Sequence, residues 1–335
     1  MKKLIAFVLT VCMVMSLAAC GSKEPATAEY KLGMGVVLDT ESSDVNHAQV
    51  DATFATVVLD AEGKIVNCRI DCVQNKMDVT GGAVDTAATY RTKMEQGSDY
   101  GMVAYGNAIA EWDAQAKAFE SFVEGKTAAE VEAIELTTND HGYSVAASEE
   151  LYAGCTMQIT EFIEAVVKAC SDAKGVTFTA APGFTLGAAA ISTADESTAA
   201  TDTDAASVKM YSEFAATVVG ADGKILAAIT DATQPKISVS KDGAIVGSEY
   251  KGTKRELGPD YGMVAYGAAI AEWDAQAQAF ADFTVGKTAA EVEAIETQTN
   301  DHGYQVPVDE TLLASCTMQV TGMMAVIARA AEYAR

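Results

Sequence analysis

The stretch Asp99-Tyr100-Gly101-Met102-Val103-Ala104-Tyr105-Gly106 decides the architecture, because it returns unchanged at residues 260–267, an offset of 161. The match continues over residues 99–116 and 260–277, which differ only at Asn107 against Ala268. Residues 127–135 and 288–296 are likewise identical. A repeat of roughly 150 residues is too long for a solenoid unit and suits a domain. The sequence therefore predicts two similar domains that arose by internal duplication.

The repeat also predicts where the domains lie. Upstream of the identical stretch the offset becomes 160, since Phe54 aligns with Phe214. We expect domain boundaries that leave a short tether before the first copy and a linker between the copies. Between them the chain is rich in alanine, serine and threonine, a composition typical of a linker. The predicted segments are a signal peptide at 1–19, a tether at 20–30, a first domain at 31–173, a linker with a possible first strand of the second domain at 174–207, and a second domain at 208–335.

The N-terminus has the pattern of an exported protein. Lys2 and Lys3 precede an apolar run over residues 4–15, and the run ends at Leu17-Ala18-Ala19-Cys20. This order is typical of a secretory signal peptide, and the run is too short for a membrane-spanning helix. The last four residues resemble the lipobox of bacterial lipoproteins. The resemblance implies lipidation of Cys20 and anchoring at the extracellular face of the cytoplasmic membrane.

The composition excludes one class of partner. The chain has 23 basic and 47 acidic residues, a net charge of −24, and 49% of its residues are hydrophobic. Such a surface repels phosphate backbones, so we expect no nucleic-acid binding. The acidic surface can attract cations or basic partners, although solubility is the simpler explanation.

Local patterns predict an α+β fold, with each domain a small antiparallel sheet and packed helices. Val66, Cys68, Ile70 and Cys72 alternate with polar residues, as in a half-buried strand. A turn at residues 60–63 connects this strand to the previous one. A stripe from Tyr105 to Val123 predicts one long helix, and Thr127 with Glu130 forms a capping box that starts another. Thr160 in the N-cap position begins the last helix, and its counterpart begins at Thr321. Strands followed by segregated helices are typical of the α+β class. The cysteines lack a disulfide spacing, which favours small core residues.

Two polar clusters recur in both copies. Asn139-Asp140-His141-Gly142-Tyr143 returns with His302, and it could hold a metal or orient a substrate, although a polar turn is the alternative. Lys93 and Tyr100, and again Lys254 and Tyr261, place a cation and a phenol near a helix start. Free amides there could meet an anion, although a plain helix entrance is the alternative. No hydrolase or dinucleotide-binding motif is present.

The order of these motifs resembles the tandem lipoproteins of Gram-positive gut bacteria that are grouped with FMN-binding domains. In flavinylated members, Asp-x-x-Ser/Thr-Gly-Ala-Thr precedes the last helix, and its final threonine carries FMN. The matching stretches here end in Thr160 and Thr321, and Gln158 and Gln319 replace the glycine. The resemblance implies that Thr160 and Thr321, with Gln158, Gln319 and the residues of both polar clusters, bind FMN. The aspartate and the Gly-Ala pair of the motif are absent, so the motif is degenerate.

The resemblance also implies a function. Relatives serve flavin-based extracellular electron transfer, so we expect an electron carrier or binding protein at the cell surface rather than a classical enzyme. Membrane electron donors or a flavin transferase would be its partners. The alternative is a surface lipoprotein that binds another small molecule or a protein, without a redox role, on the same scaffold.

Overall fold

The computed structural model describes residues 26–335. The predicted signal peptide and Cys20 lie outside the described residues, and the first strand begins at Ala28, inside the predicted tether. The strands are β1 Ala28–Asp39, β2 His47–Leu59, β3 Ile65–Asp78, β4 Leu136–Thr138, β5 Ser144–Ala146, β6 Val176–Ala180, β7 Thr185–Thr193, β8 Ala206–Lys209, β9 Tyr211–Val219, β10 Ile225–Thr233, β11 Lys236–Val239, β12 Ile245–Glu249, β13 Thr297–Thr299 and β14 Gln305–Pro307.

Most helices are short. They are α1 Lys93–Gln96, α2 Met102–Gly106, α3 Trp112–Val123, α4 Ala128–Glu132, α5 Glu149–Tyr152, α6 Thr160–Cys170, α7 Lys254–Leu257, α8 Met263–Gly267, α9 Trp273–Phe283, α10 Ala289–Glu293, α11 Glu310–Leu313 and α12 Thr321–Glu332. Among the described residues, no helix combines the length and the apolar character that crossing a membrane requires.

The strands form antiparallel sheets, which confirms the α+β class. The first sheet has the order β3-β2-β1-β6 and the second the order β10-β9-β7. A small sheet, β12-β11-β8, lies beside them, and β4-β5 and β13-β14 form separate hairpins. The first half, through α6, and the second half, from β7 onward, run through the same order of main strands and helices. The duplication itself remains an inference from the repeated sequence.

The two main sheets pack face to face. Phe54 of β2 and Phe214 of β9 meet at the centre, with ring centroids 5.0 Å apart, and both are fully buried. The other face of each sheet packs against helices, chiefly α3 and α6 in the first half and α9 and α12 in the second. The molecule therefore has four layers, with helices outside and sheets inside.

Residues 174–207 are more ordered than a linker. This segment supplies β6, which pairs with β1, and β7, which is the outer strand of the second sheet. Its small residues serve close packing: a Cβ added at Gly187 would lie 1.7 Å from the carbonyl oxygen of Ala330 in α12. Likewise, a Cβ added at Gly33 of β1 would lie 2.1 Å from the carbonyl oxygen of Ala169 in α6. Alanine and glycine in this segment therefore reflect a helix that lies directly on the strand.

The long helix predicted from Tyr105 to Val123 is wrong at its start. Helix α2 ends at Gly106, Asn107 has a left-handed backbone with φ of 52°, and α3 begins at Trp112. The Glu111 carboxylate accepts hydrogen bonds from the amides of Met102 and Val103, at 2.8 and 3.3 Å. These hydrogen bonds connect the residue before α3 to the first turn of α2, and the residues between the two helices form a loop. Tyr105 is consequently 91% exposed.

Other local predictions are confirmed. The turn after β2 has Gly63 at φ of 76°, and Thr127 and Glu130 form the predicted capping box. Of the cysteines in the described residues, all are free, and four of the five are buried. Small apolar packing therefore accounts for Cys68 and Cys72.

Two of the ion pairs between the halves are related by the repeat. Lys168 of α6 pairs with Glu256 of α7 at 2.6 Å, and Arg329 of α12 pairs with Glu95 of α1 at 3.1 Å. The two pairs relate corresponding positions of the repeat, with the halves exchanged. The halves therefore meet about an approximate two-fold axis.

Candidate functional site

A cleft of about 780 Å³ opens on the helix side of the first sheet. We call it the first cleft. It is lined by Asp39, Ser42, Asp51, Thr53, Cys72, Gln74, Lys93, Tyr100, Met102, Gly106, Asn107, Ala108, Ile109, Trp112, Asn139, His141, Tyr143, Tyr152, Thr156, Met157, Gln158, Glu161 and Phe162. A volume of this size is typical of a small-molecule site.

The floor of the cleft comes from the alternation of side chains along two paired strands. In β2, Asp51 and Thr53 share a face with the core residue Ala55, and they pair with Gln74 and Cys72 of β3. Residues two apart on a strand point to the same side. Helices cover the apolar part of this face, and the polar part beyond them is left open. The same strands therefore provide both the core and the cleft floor.

A lysine enters the cleft from the short helix α1. Thr92 and Glu95 form a capping box around the first turn, which places Lys93 at the first helical position. The Lys93 ammonium lies 5.0 Å from the ring centre of Tyr100 and 5.8 Å from that of Trp112. Rings at such distances stabilise a cation.

The charge state of Lys93 follows from its surroundings. Burial by itself lowers the pKa of Lys93, but the neighbouring Cys72, Tyr100 and Asp51 groups raise it above the ordinary value. Lys93 is therefore a cation at neutral pH. Burial raises the pKa of Cys72 to about 11, so this side chain is a neutral thiol.

Two carboxylates, those of Asp51 and Glu161, line the first cleft together with this cation. Asp51 accepts a hydrogen bond from Gln49 Nε2 through Oδ2, at 2.7 Å, whereas its Oδ1 atom is buried without a hydrogen-bond partner among the described residues. Glu161, in the first turn of α6, accepts a 2.6 Å hydrogen bond from Thr53. A buried acceptor without a partner is costly. The Asp51 oxygen is therefore a place where a ligand donor would be favourable.

A buried aspartate behind the floor holds α1 in place. Asp71 Oδ1 accepts hydrogen bonds from the amides of Cys72, at 2.7 Å, and of Met94, at 3.0 Å. Burial raises the pKa of Asp71 to about 7, despite hydrogen bonds from Thr92 and these amides that lower it. Asp71 fixes the residue next to Lys93 to the strand, so it positions the cation.

The structure brings some predicted site residues together and leaves others apart. Lys93, Tyr100, His141 and Gln158 all line the first cleft. Thr160 does not line it and is exposed on the surface.

Thr160 and Thr321 are also not N-caps, contrary to our prediction. The N-cap residues are Ile159 and Val320, which carry no capping side chain, and the threonines occupy the first helical position. Both hydroxyls therefore lie at a helix start without making the predicted cap.

The cluster around His141 is a polar turn. Asn139 Oδ1 accepts hydrogen bonds from the amides of His141 and Tyr143, each at 3.0 Å, and Gly142 has φ of 83°. His302 lies on a matching turn, with Gly303 at φ of 84°. Within residues 26–335, no group of three or more His, Cys, Asp and Glu side chains is placed to hold a metal ion. The turn interpretation is confirmed.

The corresponding place in the second half is filled by a tyrosine. Tyr211 stands where the first half has Asp51, and the Lys254 ammonium lies 4.7 Å from its ring centre. Lys254 also lies 4.8 Å from the Tyr261 ring and 5.3 Å from the Trp273 ring. A cation that is surrounded by three rings leaves little room for a ligand on that side.

A carboxylate has also changed its place between the halves. Glu213 replaces Thr53, and Gly322 replaces Glu161, so the acid moves from the helix to the strand. A Cβ at Gly322 would lie 1.7 Å from Glu213 Oε2, so the Glu213 carboxylate packs directly against this glycine. The Tyr211 hydroxyl lies 3.2 Å from Glu213 Oε1 and donates to it.

The remaining predicted residues of the second half do not form one site. Lys254 and Tyr261 line a separate cleft of about 320 Å³, which we call the second cleft. His302, Gln319 and Thr321 are exposed and do not line it.

Our reasoning from the sequence missed Asp51, Trp112 and Glu161 as site residues. A signal was present for two of them: the aligned copies differ at these positions, with tyrosine for Asp51 and glycine for Glu161. Trp112 has no such difference between the copies, because Trp273 occupies the corresponding position, and its helical spacing predicts a core residue. The Thr-x-x-Glu pattern at Thr92 also marked the start of α1.

Comparison with known proteins gives one partial similarity. No family model matches the chain, and no solved structure matches it. A chlorophenol reductase from Desulfitobacterium hafniense is 28% identical over 168 residues, which cover 44% of this chain and 51% of that protein. The chain thus spans about half the length of the curated relative that it matches.

Proposed function

We propose that this protein is a lipid-anchored electron-transfer protein of the cell surface that binds one flavin of the FMN type in its first cleft. The observation that carries the proposal is the meeting of Lys93, the unpartnered Asp51 oxygen and aromatic rings in a single cleft of about 780 Å³. An isoalloxazine is a flat aromatic ring with an imide edge that both donates and accepts hydrogen bonds. Bound flavin would supply the electron-transfer chemistry, and the protein would supply binding and orientation.

The residues of the first cleft fit such a group. Asp51 Oδ1 is a buried acceptor that suits an N–H donor, and the Lys93 ammonium suits an electron-rich carbonyl or an anion. Trp112, Tyr100 and Phe162 provide aromatic surface at the wall. These residues would bind and orient the ring and exclude water from it.

The phosphate has a separate anchor. Thr160 begins α6, an eleven-residue helix whose first amides and positive dipole end favour an anion. Its exposed hydroxyl would be accessible to a transferase. Glu161, the next residue, opposes a phosphate by its charge. The covalent link to Thr160 is therefore proposed separately from binding of the ring in the first cleft.

The second half does not fit a second flavin. Tyr211 occupies the place of the Asp51 acceptor, and Glu213 lies against Gly322 at the start of α12. We therefore propose one flavin for each chain rather than two.

Two further observations support the proposal. The partial relative is named a reductase, which suggests a redox cofactor without specifying which. The pattern ending in Cys20 resembles a lipobox, which supports a position outside the cytoplasm, where membrane electron donors and a flavin transferase would be the partners.

The test is an absorption spectrum and an intact mass of the full chain produced with a flavin transferase. We expect a flavin spectrum and a mass increase of one FMN less one water. Thr160→Ala should remove the added mass, and the matched variant Thr321→Ala should leave it unchanged.

The outcomes separate the rival functions. A colourless protein of unmodified mass that also fails to bind added FMN would falsify the flavin proposal and favour the non-redox ligand-binding alternative. Yellow protein of unmodified mass indicates non-covalent binding in the cleft.

A further inference from the structure

The second cleft has a basic lining in a strongly acidic protein. Four lysines line its 320 Å³, against two carboxylates, Glu249 and Asp260. The lysines are Lys209, Lys236, Lys251 and Lys254. The whole chain has a net charge of −24, so an excess of cations around one small cleft is a local reversal of sign.

One of these lysines is buried without a direct ion pair, and the Tyr211 hydroxyl stands between it and the Glu213 carboxylate. Lys254 is only 8% exposed, and no carboxylate in residues 26–335 lies within ion-pair distance of its ammonium. The Lys254 ammonium lies at hydrogen-bond distance, 3.5 Å, from the Tyr211 hydroxyl oxygen, and three aromatic rings surround it. A buried charge normally has a partner. An anion from solution would supply one at the cleft.

The other lysines are only partly neutralised by carboxylates. Lys236 lies 3.8 Å from Glu249, a long pair, and Lys209 is bonded at 3.1 Å to Glu196, which does not line the cleft. Lys251 is exposed and belongs to none of the ion pairs of the described residues. Lys251, and Lys236 with its long pair, thus remain available to a ligand.

The first half has only two of these lysines, Lys76 in the place of Lys236 and Lys93 in the place of Lys254. Gln49 stands where the second half has Lys209, and Lys251 follows β12, for which the described part of the first half has no counterpart strand. The basic cleft is therefore specific to the second half.

We infer that the second cleft binds a small polyvalent oxyanion, either inorganic phosphate or a multiply charged carboxylate. Several ammonium groups around one cavity suit such a ligand, since lysine binds oxyanions as a mobile point charge. The volume is at the lower end for ligand sites, which favours a ligand of few atoms. Gln234, Tyr250 and Tyr261 add hydrogen-bonding groups to the lining. This inference is independent of flavin binding in the first cleft.

The experiment is isothermal titration of the full chain with phosphate and, separately, with citrate, at constant ionic strength set by sodium chloride. We expect saturable binding of one anion per chain for at least one probe, and the stronger probe identifies the ligand class. Lys251→Gln and Lys236→Gln should each weaken that binding at least tenfold. The matched control Lys241→Gln, a lysine with a 65% exposed side chain outside the cleft, should leave it unchanged.

Two results would overturn the inference. One is the absence of saturable binding for both probes. The other is an equal loss in Lys241→Gln and Lys251→Gln, which would indicate general charge attraction. The same titrations on Thr160→Ala should reproduce the parent, because the site does not involve the first cleft.

Discussion

The two halves of this protein share long identical segments, yet only the first contains the large open cleft built on Asp51. Both halves place a lysine from a capped single-turn helix over tyrosine and tryptophan rings. In the first half the adjoining strand position is Asp51, and in the second it is Tyr211, whose ring covers the lysine. Three exchanges on the sheet and helix, at 51/211, 53/213 and 161/322, therefore separate the open first cleft from the filled place in the second half.

The largest effect is expected from removing the filling residue. Tyr211→Ala should lower the free energy of unfolding by about 3 kcal/mol, because a large side chain is lost from a packed site and Lys254 loses a ring. Urea denaturation measures this change. Tyr304→Ala, at a residue that is 52% exposed, is the control and should change stability little. A loss at Tyr211 no greater than the control would contradict our description of the second half as filled.

The reverse exchange should close the first cleft. Asp51→Tyr should weaken FMN binding roughly 100-fold, about 2.7 kcal/mol, because it removes the unpartnered acceptor and occupies the ligand volume. Quenching of flavin fluorescence on titration gives the affinity. Glu62→Tyr, in the exposed turn after β2, is the matched control. Unchanged affinity in Asp51→Tyr would move the site out of the first cleft.

A buried aspartate in each half should make stability depend on pH to a different extent. Burial raises the pKa of Asp71 to about 7 and that of its counterpart Asp231 to about 6, where nearby Arg255 opposes the rise. The ordinary pKa of an aspartate is 3.8. The folded chain therefore keeps Asp71 protonated up to about pH 7 and Asp231 up to about pH 6, where the unfolded chain has lost these protons. The folded state then binds more protons than the unfolded state, and these groups make stability fall as pH rises through each window.

We therefore expect Asp71→Asn to remove a larger pH-dependent loss than Asp231→Asn. At pH 8, the gain in the free energy of unfolding over the parent should be about 1.4 kcal/mol larger for Asp71→Asn than for Asp231→Asn, which corresponds to one pKa unit. Urea denaturation from pH 4 to 8 measures it. A larger gain in Asp231→Asn would reverse the order of the two sites.

The smallest effect concerns the ion pairs between the halves. Arg329→Gln and Lys168→Gln should each cost below about 1 kcal/mol, since partly exposed pairs contribute little. The loss should be greater for Arg329, because its partner Glu95 is 12% exposed and the partner of Lys168, Glu256, is 42% exposed. Denaturation midpoints at low and high salt provide the measurement. Midpoints that do not differ between the variants and the parent at low salt would show that these two pairs contribute nothing measurable to stability.

Much of the fold could be predicted because its signals are local. Alternation along residues 66–72 predicts β3, and Thr127 with Glu130 predicts the start of α4, since both depend on neighbours in the chain. The stripe from Tyr105 to Val123 failed at its first turns. There the Glu111 carboxylate binds the amides of Met102 and Val103, and the periodicity of a stripe carries no information about such a contact.

The repeat, the α+β class and the acidic character follow from the sequence alone, and so do four of the residues that line the first cleft: Lys93, Tyr100, His141 and Gln158. The tertiary structure decided that β2 and β3 bring Asp51 and Cys72 beneath Lys93, and that Tyr211 fills the same place in the other half. It also decided that the two sheets pack on each other at Phe54 and Phe214. The physical reason is range: caps and periodicity arise within a few residues, whereas a cleft depends on which faces the packing of strands and helices leaves uncovered.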